Sequence, residues 1–102
     1  MATLLVLYKT PADPAAFDRH YAETHAPLAK RIPGLRSYTI SKGAVATPAG
    51  ASNIHLVATL TFDSLAAIQA GLGSPEGAAA AGDLPNFAGA GVDLYLFEDG
   101  PA

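Results

Sequence analysis

Four segments of the chain have the hydrophobic pattern of β-strands. Residues 3–8 and 92–97 are short runs that carry large apolar side chains in both directions. Residues 54–62 alternate Ile, Leu, Ala and Phe on one face with His, Val and Thr on the other, and residues 35–42 alternate between two mixed faces. The pattern predicts four strands, of which the first and the last are hydrophobic on both faces.

The segment after the first strand carries the signals of a helix. Asp13 and Pro14 are typical of an N-cap and a first helical position, and apolar and aromatic residues follow at helical spacing up to a Pro-Gly pair. Pro27 interrupts this segment, because it has no N–H to donate to the carbonyl of Glu23. We therefore expect a kink there, or a break into two short helices.

The segment after the third strand predicts two further helices. Asp63 and Ser64 form the cap of the first, and Ser74 precedes an Ala-rich second one. Two stretches with Gly, Pro and small polar residues predict irregular structure: residues 83–87 a turn, and residues 43–53 a mobile loop.

The predicted order of elements is βαββαβ within a single domain, residues 1–102. Right-handed crossovers over a four-stranded antiparallel sheet give the ferredoxin-like arrangement, an α+β fold with its helices on one face. The other face of the sheet then exposes the apolar side chains of the first and last strands, and monomers rarely leave such a patch uncovered. A second copy packed sheet against sheet covers it economically, so we expect a homodimer.

Composition and charge exclude several classes of protein. Six Lys and Arg against nine Asp and Glu give a net charge of −3, which argues against nucleic-acid binding. The chain has no cysteine, and therefore no disulfide or thiolate metal site. No apolar run approaches the roughly 20 residues that span a bilayer, and the N-terminus lacks the pattern of a signal peptide. We expect a cytoplasmic protein without membrane contact.

Two stretches of the sequence resemble the EthD family. Residues 8–43 carry a Tyr and a Pro after the first strand, a Phe and a Tyr on the helix, a T-H-x-P-L turn and a P-G-L before the second strand. Residues 74–88 carry an Ala-rich helix and a D-L-P-x-F turn. The chain is thus similar to this family over nearly its whole length, and the resemblance implies a dimeric α+β barrel with the helices outside.

The resemblance implies a range of activities rather than one reaction. The family takes its name from a small protein associated with bacterial oxidative ether degradation, and its members are often labelled reductases. The wider group includes cofactor-free monooxygenases, isomerases and decarboxylases. No G-x-G-x-x-G or P-loop motif is present, so the sequence predicts no nucleotide cofactor.

His25 is the strongest candidate for a catalytic residue. It lies two residues before Pro27 in the T-H-x-P-L turn, and Tyr21, one helical turn earlier, is predicted to assist it. One hypothesis is that a ring nitrogen of His25 is tied to a freed backbone carbonyl while the other acts as a general base in a pocket between helix and sheet. The alternative is that His25 only satisfies the carbonyl of Glu23 and holds the kink.

Six further residues are predicted to bind substrate. A tyrosine combines an apolar body with a polar tip, which suits the wall of a cavity, although each one could instead fill the core or the dimer interface. His55 could point into the same cavity or towards the interface or the rim. The predicted substrate-binding residues are Tyr8, Phe17, Tyr38, His55, Phe87 and Tyr95.

His20 and His25 are not predicted to bind a metal ion. Five residues at 100° each place them about 140° apart around an α-helix, and HYAETH is not the H-E-x-x-H motif. His20 is expected to be partly exposed on the surface. The sequence therefore predicts neither a metal nor a cofactor.

These observations predict a protein that binds a small apolar or aromatic metabolite without a cofactor and acts on it by proton transfer through His25. Isomerisation, enolisation, decarboxylation and oxygenation of an activated substrate are all within the reach of these residues. The alternative is a non-catalytic dimer that binds or shuttles a metabolite for a partner oxygenase in a degradation pathway.

Overall fold

Four strands form one antiparallel sheet in the computed structural model, which describes residues 1–102. The sheet has the order β2-β5-β1-β6, with β1 and β5 at its centre and all neighbours antiparallel. The strands are β1 (Ala2–Lys9), β2 (Ser37–Ile40), β3 (Ala46–Thr47), β4 (Gly50–Ala51), β5 (Ile54–Phe62) and β6 (Val92–Glu98), of which β3 and β4 form a separate hairpin.

Four helices cover one face of the sheet. They are α1 (Pro14–His20), α2 (Ala26–Ala29), α3 (Leu65–Leu72) and α4 (Pro75–Phe87), and a π-helical turn (Tyr21–His25) joins α1 to α2. The Asp13 carboxylate accepts the N–H of Ala16, and Ser64 and Ser74 cap α3 and α4 in the same way. With helices between the strands in this order, the prediction of a ferredoxin-like βαββαβ fold is confirmed.

The core lies between the helices and alternate residues of the central strands. Leu4, Val6 and Tyr8 of β1 are buried, and they lie directly opposite Leu60, Ala58 and Leu56 of β5. On the helix side, the largest buried side chains are Phe17, Tyr21, Ile32 and Ile68. Burial of this continuous apolar layer is the main favourable contribution to folding.

The chain passes Pro27 without a break. The residues from α1 to α2 keep helical dihedral angles, and the N–H of Ala26 donates to the carbonyl of Tyr21, five residues earlier. The wider π turn accommodates one extra residue and leaves Pro27 within the first turn of α2, where no N–H is required. The expected break into two separate helices is therefore wrong, and the irregularity is a π turn instead.

Two segments predicted to be irregular contain regular structure. Residues 83–87 form the last turns of α4, because Pro85 lies near the C-terminal end of the helix and removes only one hydrogen bond there. Within residues 43–53, β3 and β4 pair as a short hairpin. Ser52 anchors its base, since the Ser52 hydroxyl donates to the carbonyl of Val45 and accepts the N–H of Ile54.

The chain contains no helix with the length and hydrophobicity that crossing a bilayer requires. It also contains no set of three or more His, Asp or Glu side chains arranged to hold a metal ion.

Candidate functional site

A small cavity of about 60 Å³ lies between the sheet and the helices. Most of its lining is apolar, from β1, β5, α2, α3 and α4, and Leu94 of β6, which is 41% exposed, lies at its outer side. The polar side chains of the cavity are those of Tyr8, Tyr21, His25 and Tyr38. The structure therefore brings together both predicted catalytic residues and two of the six residues predicted to bind substrate.

His25 is buried and engaged at both ring nitrogens. Its Nδ1 lies 3.0 Å from Oδ2 of Asp83, and its Nε2 lies 3.3 Å from the hydroxyl of Tyr8. Both ring nitrogens bond to side chains, and neither bonds to the carbonyl of Glu23. The alternative that His25 only satisfies that carbonyl is therefore wrong.

Asp83 is the residue of the site that the sequence analysis missed. Only 6% of it is exposed, and its two carboxylate oxygens accept hydrogen bonds from His20, His25 and Asn86 over 2.9–3.0 Å. Its sequence context predicts a turn over residues 83–87, and a carboxylate in a turn gives no sign of a site. A signal that could have found it is the continuation of the Ala-rich helix, which places Asp83 on the buried side with Ala80.

Hydrogen bonding decides the charge of Asp83, and burial decides that of His25. Burial opposes ionisation of the carboxyl, but the bonds from Asn86, His20 and His25 outweigh it and hold the pKa of Asp83 below its usual value. For His25, burial has the larger effect and lowers the pKa, although Asp83 acts in the opposite direction. Near neutral pH the pair is therefore a carboxylate and a neutral imidazole.

This charge state fixes the tautomer of His25. An ionised Asp83 accepts a proton-bearing nitrogen, so Nδ1 carries the hydrogen and Nε2 is left as an acceptor. The hydroxyl of Tyr8 then donates to Nε2. The result is a chain of hydrogen bonds from Tyr8 through His25 to Asp83. The carboxylate holds the imidazole in one orientation, as the third group of a catalytic triad does for its general base.

The three tyrosines of the cavity are neutral hydrogen-bond donors. Burial raises the pKa of Tyr8, Tyr21 and Tyr38 above the usual value for a phenol. The hydroxyls of Tyr21 and Tyr38 share a hydrogen bond with each other. Such donors suit a ligand oxygen that becomes negative during a reaction.

The π turn explains why His20 and His25 meet. On a regular α-helix they would lie on different sides, as the sequence analysis assumed. In a π turn the hydrogen bond spans five residues, so residues five apart return to nearly the same side. Both imidazoles consequently reach Asp83, and His20, although partly exposed as predicted, belongs to the same cluster.

Phe17 and Phe87 pack behind the site rather than lining the cavity. The centroid of the Phe87 ring lies 4.7 Å from that of His25 and 5.0 Å from that of His20. The ring of Phe17 packs against those of Tyr8 and Tyr21. These aromatic contacts shield the imidazoles and hold their orientation. Neither phenylalanine touches the space available to a ligand in the cavity.

His55 and Tyr95, both predicted to bind substrate, lie away from this cavity. His55 Nε2 is 2.8 Å from Asp18 at the surface. Tyr95 pairs with Leu5 on the face of the sheet opposite the helices, and 53% of it is exposed. For Tyr95 the reason is the strand pattern: β6 is apolar on both faces, so the sequence did not show which face meets the helices.

Known proteins share both sequence and fold with this chain. The family model of the EthD domain matches residues 9–91. A Rhodococcus erythropolis protein, named as an uncharacterized 11.0 kDa protein in the thcB-thcC intergenic region, is 38% identical over 99 residues, covering 97% of this chain and 94% of the relative. An ethyl tert-butyl ether D (EthD) family protein of Bacillus halodurans, known from a crystal structure, is 37% identical, with a TM-score of 0.89 over 97% of this chain and 98% of that one.

More distant structures share the fold alone. The cofactor-independent oxygenase SnoaB of Streptomyces nogalater is 18% identical, with a TM-score of 0.70 over 99% of this chain and 94% of that one. A dimeric protein of unknown function and ferredoxin-like fold from Bacteroides fragilis is 18% identical, with a TM-score of 0.67 over 96% and 95% of the two chains. The same fold thus occurs in an oxygenase and in a dimer.

Proposed function

The chain belongs to the EthD-domain family, and from this premise we propose that it is a cofactor-independent enzyme that removes a proton from a small aromatic or apolar metabolite. Oxygenation or oxidation of the resulting carbanion is the reaction class that we favour. The observation that carries the proposal is the chain of hydrogen bonds from the Asp83 carboxylate through a neutral His25 to the cavity.

His25 would act as the general base. Its Nε2 accepts a proton from an acidic C–H or O–H of the substrate once the substrate takes the place of the Tyr8 hydroxyl. Asp83, bonded to Nδ1, stabilises the imidazolium that forms. The displaced hydroxyl of Tyr8 can then donate to the oxyanion of the enolate or phenolate, and so can whichever of the Tyr21 and Tyr38 hydroxyls accepts their shared hydrogen bond. Dioxygen, where it is the co-substrate, then takes electrons from that anion.

The charges around the cavity favour an uncharged substrate. No Lys, Arg, Asp or Glu side chain lines it, and the carboxylate of Asp83 lies behind His25, bonded to its Nδ1. Proton transfer from a neutral substrate to His25 creates one positive and one negative charge side by side. An anionic substrate would instead become a dianion next to Asp83, and an uncompensated buried charge is costly.

We expect the purified protein to accelerate the oxidation of anthrone, an uncharged carbon acid, by dioxygen. The step balances: anthrone loses two hydrogens at its CH₂ group and gains one oxygen atom, giving anthraquinone, and the other oxygen atom leaves as water. Oxygen uptake and anthraquinone absorbance measure the rate, with EDTA present and no flavin or nicotinamide added. A rate no higher than that with bovine serum albumin would contradict the proposal.

A non-catalytic binding protein that serves a partner oxygenase is the second candidate. One observation favours it: both nitrogens of His25 already have partners within the chain. In that case anthrone or a similar probe would bind to the protein without faster oxidation. The cytoplasm is the proposed location for either function.

We also propose that two copies of the chain associate through the uncovered face of the sheet. On this face Leu5 of β1 lies opposite Tyr95 of β6, while the next apolar residues along the two strands, Leu7 and Phe97, lie opposite Asp93 and Thr3. Tyr95 and Phe97 are 53% and 42% exposed. A contiguous apolar patch of this kind is typical of an interface. The dimeric neighbour with the same fold supports the proposal.

Light scattering at micromolar concentration is expected to give twice the mass of one chain. Replacing both Tyr95 and Phe97 with Lys should then shift the mass towards that of a monomer, because like charges would meet in an apolar interface. The control is the same change, Ile40→Lys, at an exposed residue of β2 that lies on the helix side of the sheet. This variant should have the same mass as the unaltered protein. A monomer for the unaltered chain would contradict the proposed barrel.

A further inference from the structure

His20 takes no part in the proposed mechanism, although it contacts Asp83 as closely as His25 does. Its Nε2 lies 2.9 Å from one oxygen of Asp83 and 3.0 Å from the other, so it bridges the two oxygens of the carboxylate. The ring of Phe87 stacks on the His20 imidazole at an interplanar angle of 20°. The side chain of His20 is therefore held on two sides, by a carboxylate and by an aromatic ring.

The imidazoles of His20 and His25 face different environments. His25 lines the cavity with only 7% of its side chain exposed, whereas 28% of the His20 side chain is exposed. His20 lines a side groove at the surface, between the start of α1 and the end of α4. Its Nδ1 makes no hydrogen bond within the chain, so this nitrogen can exchange a proton with solvent. Asp83 thus lies between one histidine that faces the cavity and one that faces water.

The negative charge of Asp83 is shared between these two histidines. When His25 takes up a proton it becomes an imidazolium, which the carboxylate stabilises. If His20 is already protonated, its positive charge offsets that of the carboxylate and repels a second positive charge on His25. Burial lowers the pKa of His25 most, and the charge of His20 acts in the same direction. The protonation of His20 therefore affects how readily His25 accepts a proton.

The other polar groups around the two histidines are neutral or bound elsewhere. The neutral ones are Tyr8 of β1, Tyr21 of the π turn and Asn86 of α4. Asp13, the other titratable residue of the side groove, caps α1 by accepting the N–H of Ala16. Asp83 and His20 are thus the groups whose charge acts on His25.

We propose that His20 is a positioning residue of the site: it holds both oxygens of Asp83 and, through its exposure to solvent, sets how strongly that carboxylate draws a proton onto His25. His25 then remains an unprotonated base to a lower pH than it would beside Asp83 alone, because a proton on His20 opposes a second one on His25. The effect on catalysis rests on the proposed function of His25, whereas the coupling of the two histidines does not.

The test is a pH titration followed by NMR correlation spectra of the imidazole rings, which can separate the three histidines of the chain. In His20→Gln the amide can still donate to Asp83, but this position can no longer become positive. We expect the pKa of His25 to rise by about one pH unit, the size of interaction at which two sites titrate as a pair. His20→Lys, which carries a positive charge throughout, should instead keep the pKa of His25 as low as in the unaltered chain or lower.

The matched control is His55→Gln, because His55 is bonded to Asp18 and makes no contact with Asp83. The pKa of His25 should be unchanged in this variant. An unchanged or lower pKa of His25 in His20→Gln, or a rise of equal size in His20→Lys or in His55→Gln, would overturn the proposal. If the pKa rises in His20→Gln alone but the pH dependence of anthrone oxidation does not move with it, the coupling stands and the proposed function fails, because the titration requires no turnover.

Discussion

Replacing His25 with glutamine is expected to lower the rate of anthrone oxidation by about 10²–10⁴-fold, the usual contribution of a positioned general base. Glutamine keeps an N–H that can donate to Asp83, so the buried carboxylate retains a partner, but it offers no nitrogen that accepts a proton at neutral pH. The melting temperature should therefore change much less than the rate. Oxygen uptake and thermal unfolding measure the two effects separately.

The matched control is His55→Gln, which makes the same substitution at a histidine that is also paired with an aspartate but lies outside the cavity. Oxidation of anthrone should persist in this variant at the rate of the unaltered chain, because His55 does not line the cavity. The unaltered protein should also keep its rate as the pH falls to about 6.5 and lose it only below, because burial lowers the pKa of His25 and the base must be neutral. A His25→Gln protein that folds and retains the full rate would show that His25 is not the base.

Replacing Gly77 with alanine is expected to destabilise the fold by about 3 kcal/mol, a large share of the roughly 5–15 kcal/mol that stabilises a typical domain. A Cβ atom at this position would lie 2.2 Å from the carbonyl oxygen of Gly71 and 2.6 Å from that of Leu72. Both neighbours are backbone atoms of α3, so the clash is relieved only if α3 and α4 move apart. Urea unfolding monitored by circular dichroism measures the loss.

Gly82→Ala is the control within the same helix. No atom lies within 4 Å of a Cβ at this exposed position, so the alanine should instead add about 0.5–1 kcal/mol through its higher helix propensity. Equal stability of the two variants would mean that α3 and α4 do not approach each other as closely as described. Since α4 carries Asp83, the close approach at Gly77 also helps to hold the carboxylate against the two histidines.

The strands and the helix starts could be predicted because their signals are local. Alternation along β5 shows its buried face directly, and Asp13, Ser64 and Ser74 satisfy helical N–H groups within three residues of themselves. His25 and Tyr21 were likewise predicted from a short motif, and the structure places them in one cavity.

The remainder of the site depends on features that are not local. Asp83 becomes a partner of His20 and His25 only when α4 packs against the π turn, 58 or more residues away in sequence. No pattern of apolar residues marks a π turn in the sequence. α-Helical spacing therefore predicts that the imidazoles of His20 and His25 lie on different sides, although they converge on Asp83. β6 carries apolar residues on both faces, and only its register with β1 decides that Tyr95 faces away from the helices.

The π turn lets the two histidines share one side of the helix at a spacing of five residues. A relative that kept the two histidines and the aspartate but had one residue fewer between the histidines would close this segment as an ordinary helix. The deletion would remove an outward-facing position such as Glu23, so the fold would tolerate it. The histidines would then be four residues apart on an α-helix, where side chains lie on the same face, and both imidazoles could still reach the carboxylate. When sites are compared across relatives, a spacing of four in an α-helix is therefore equivalent to a spacing of five in a π turn, and an alignment gap in this interval does not mean that the cluster is lost.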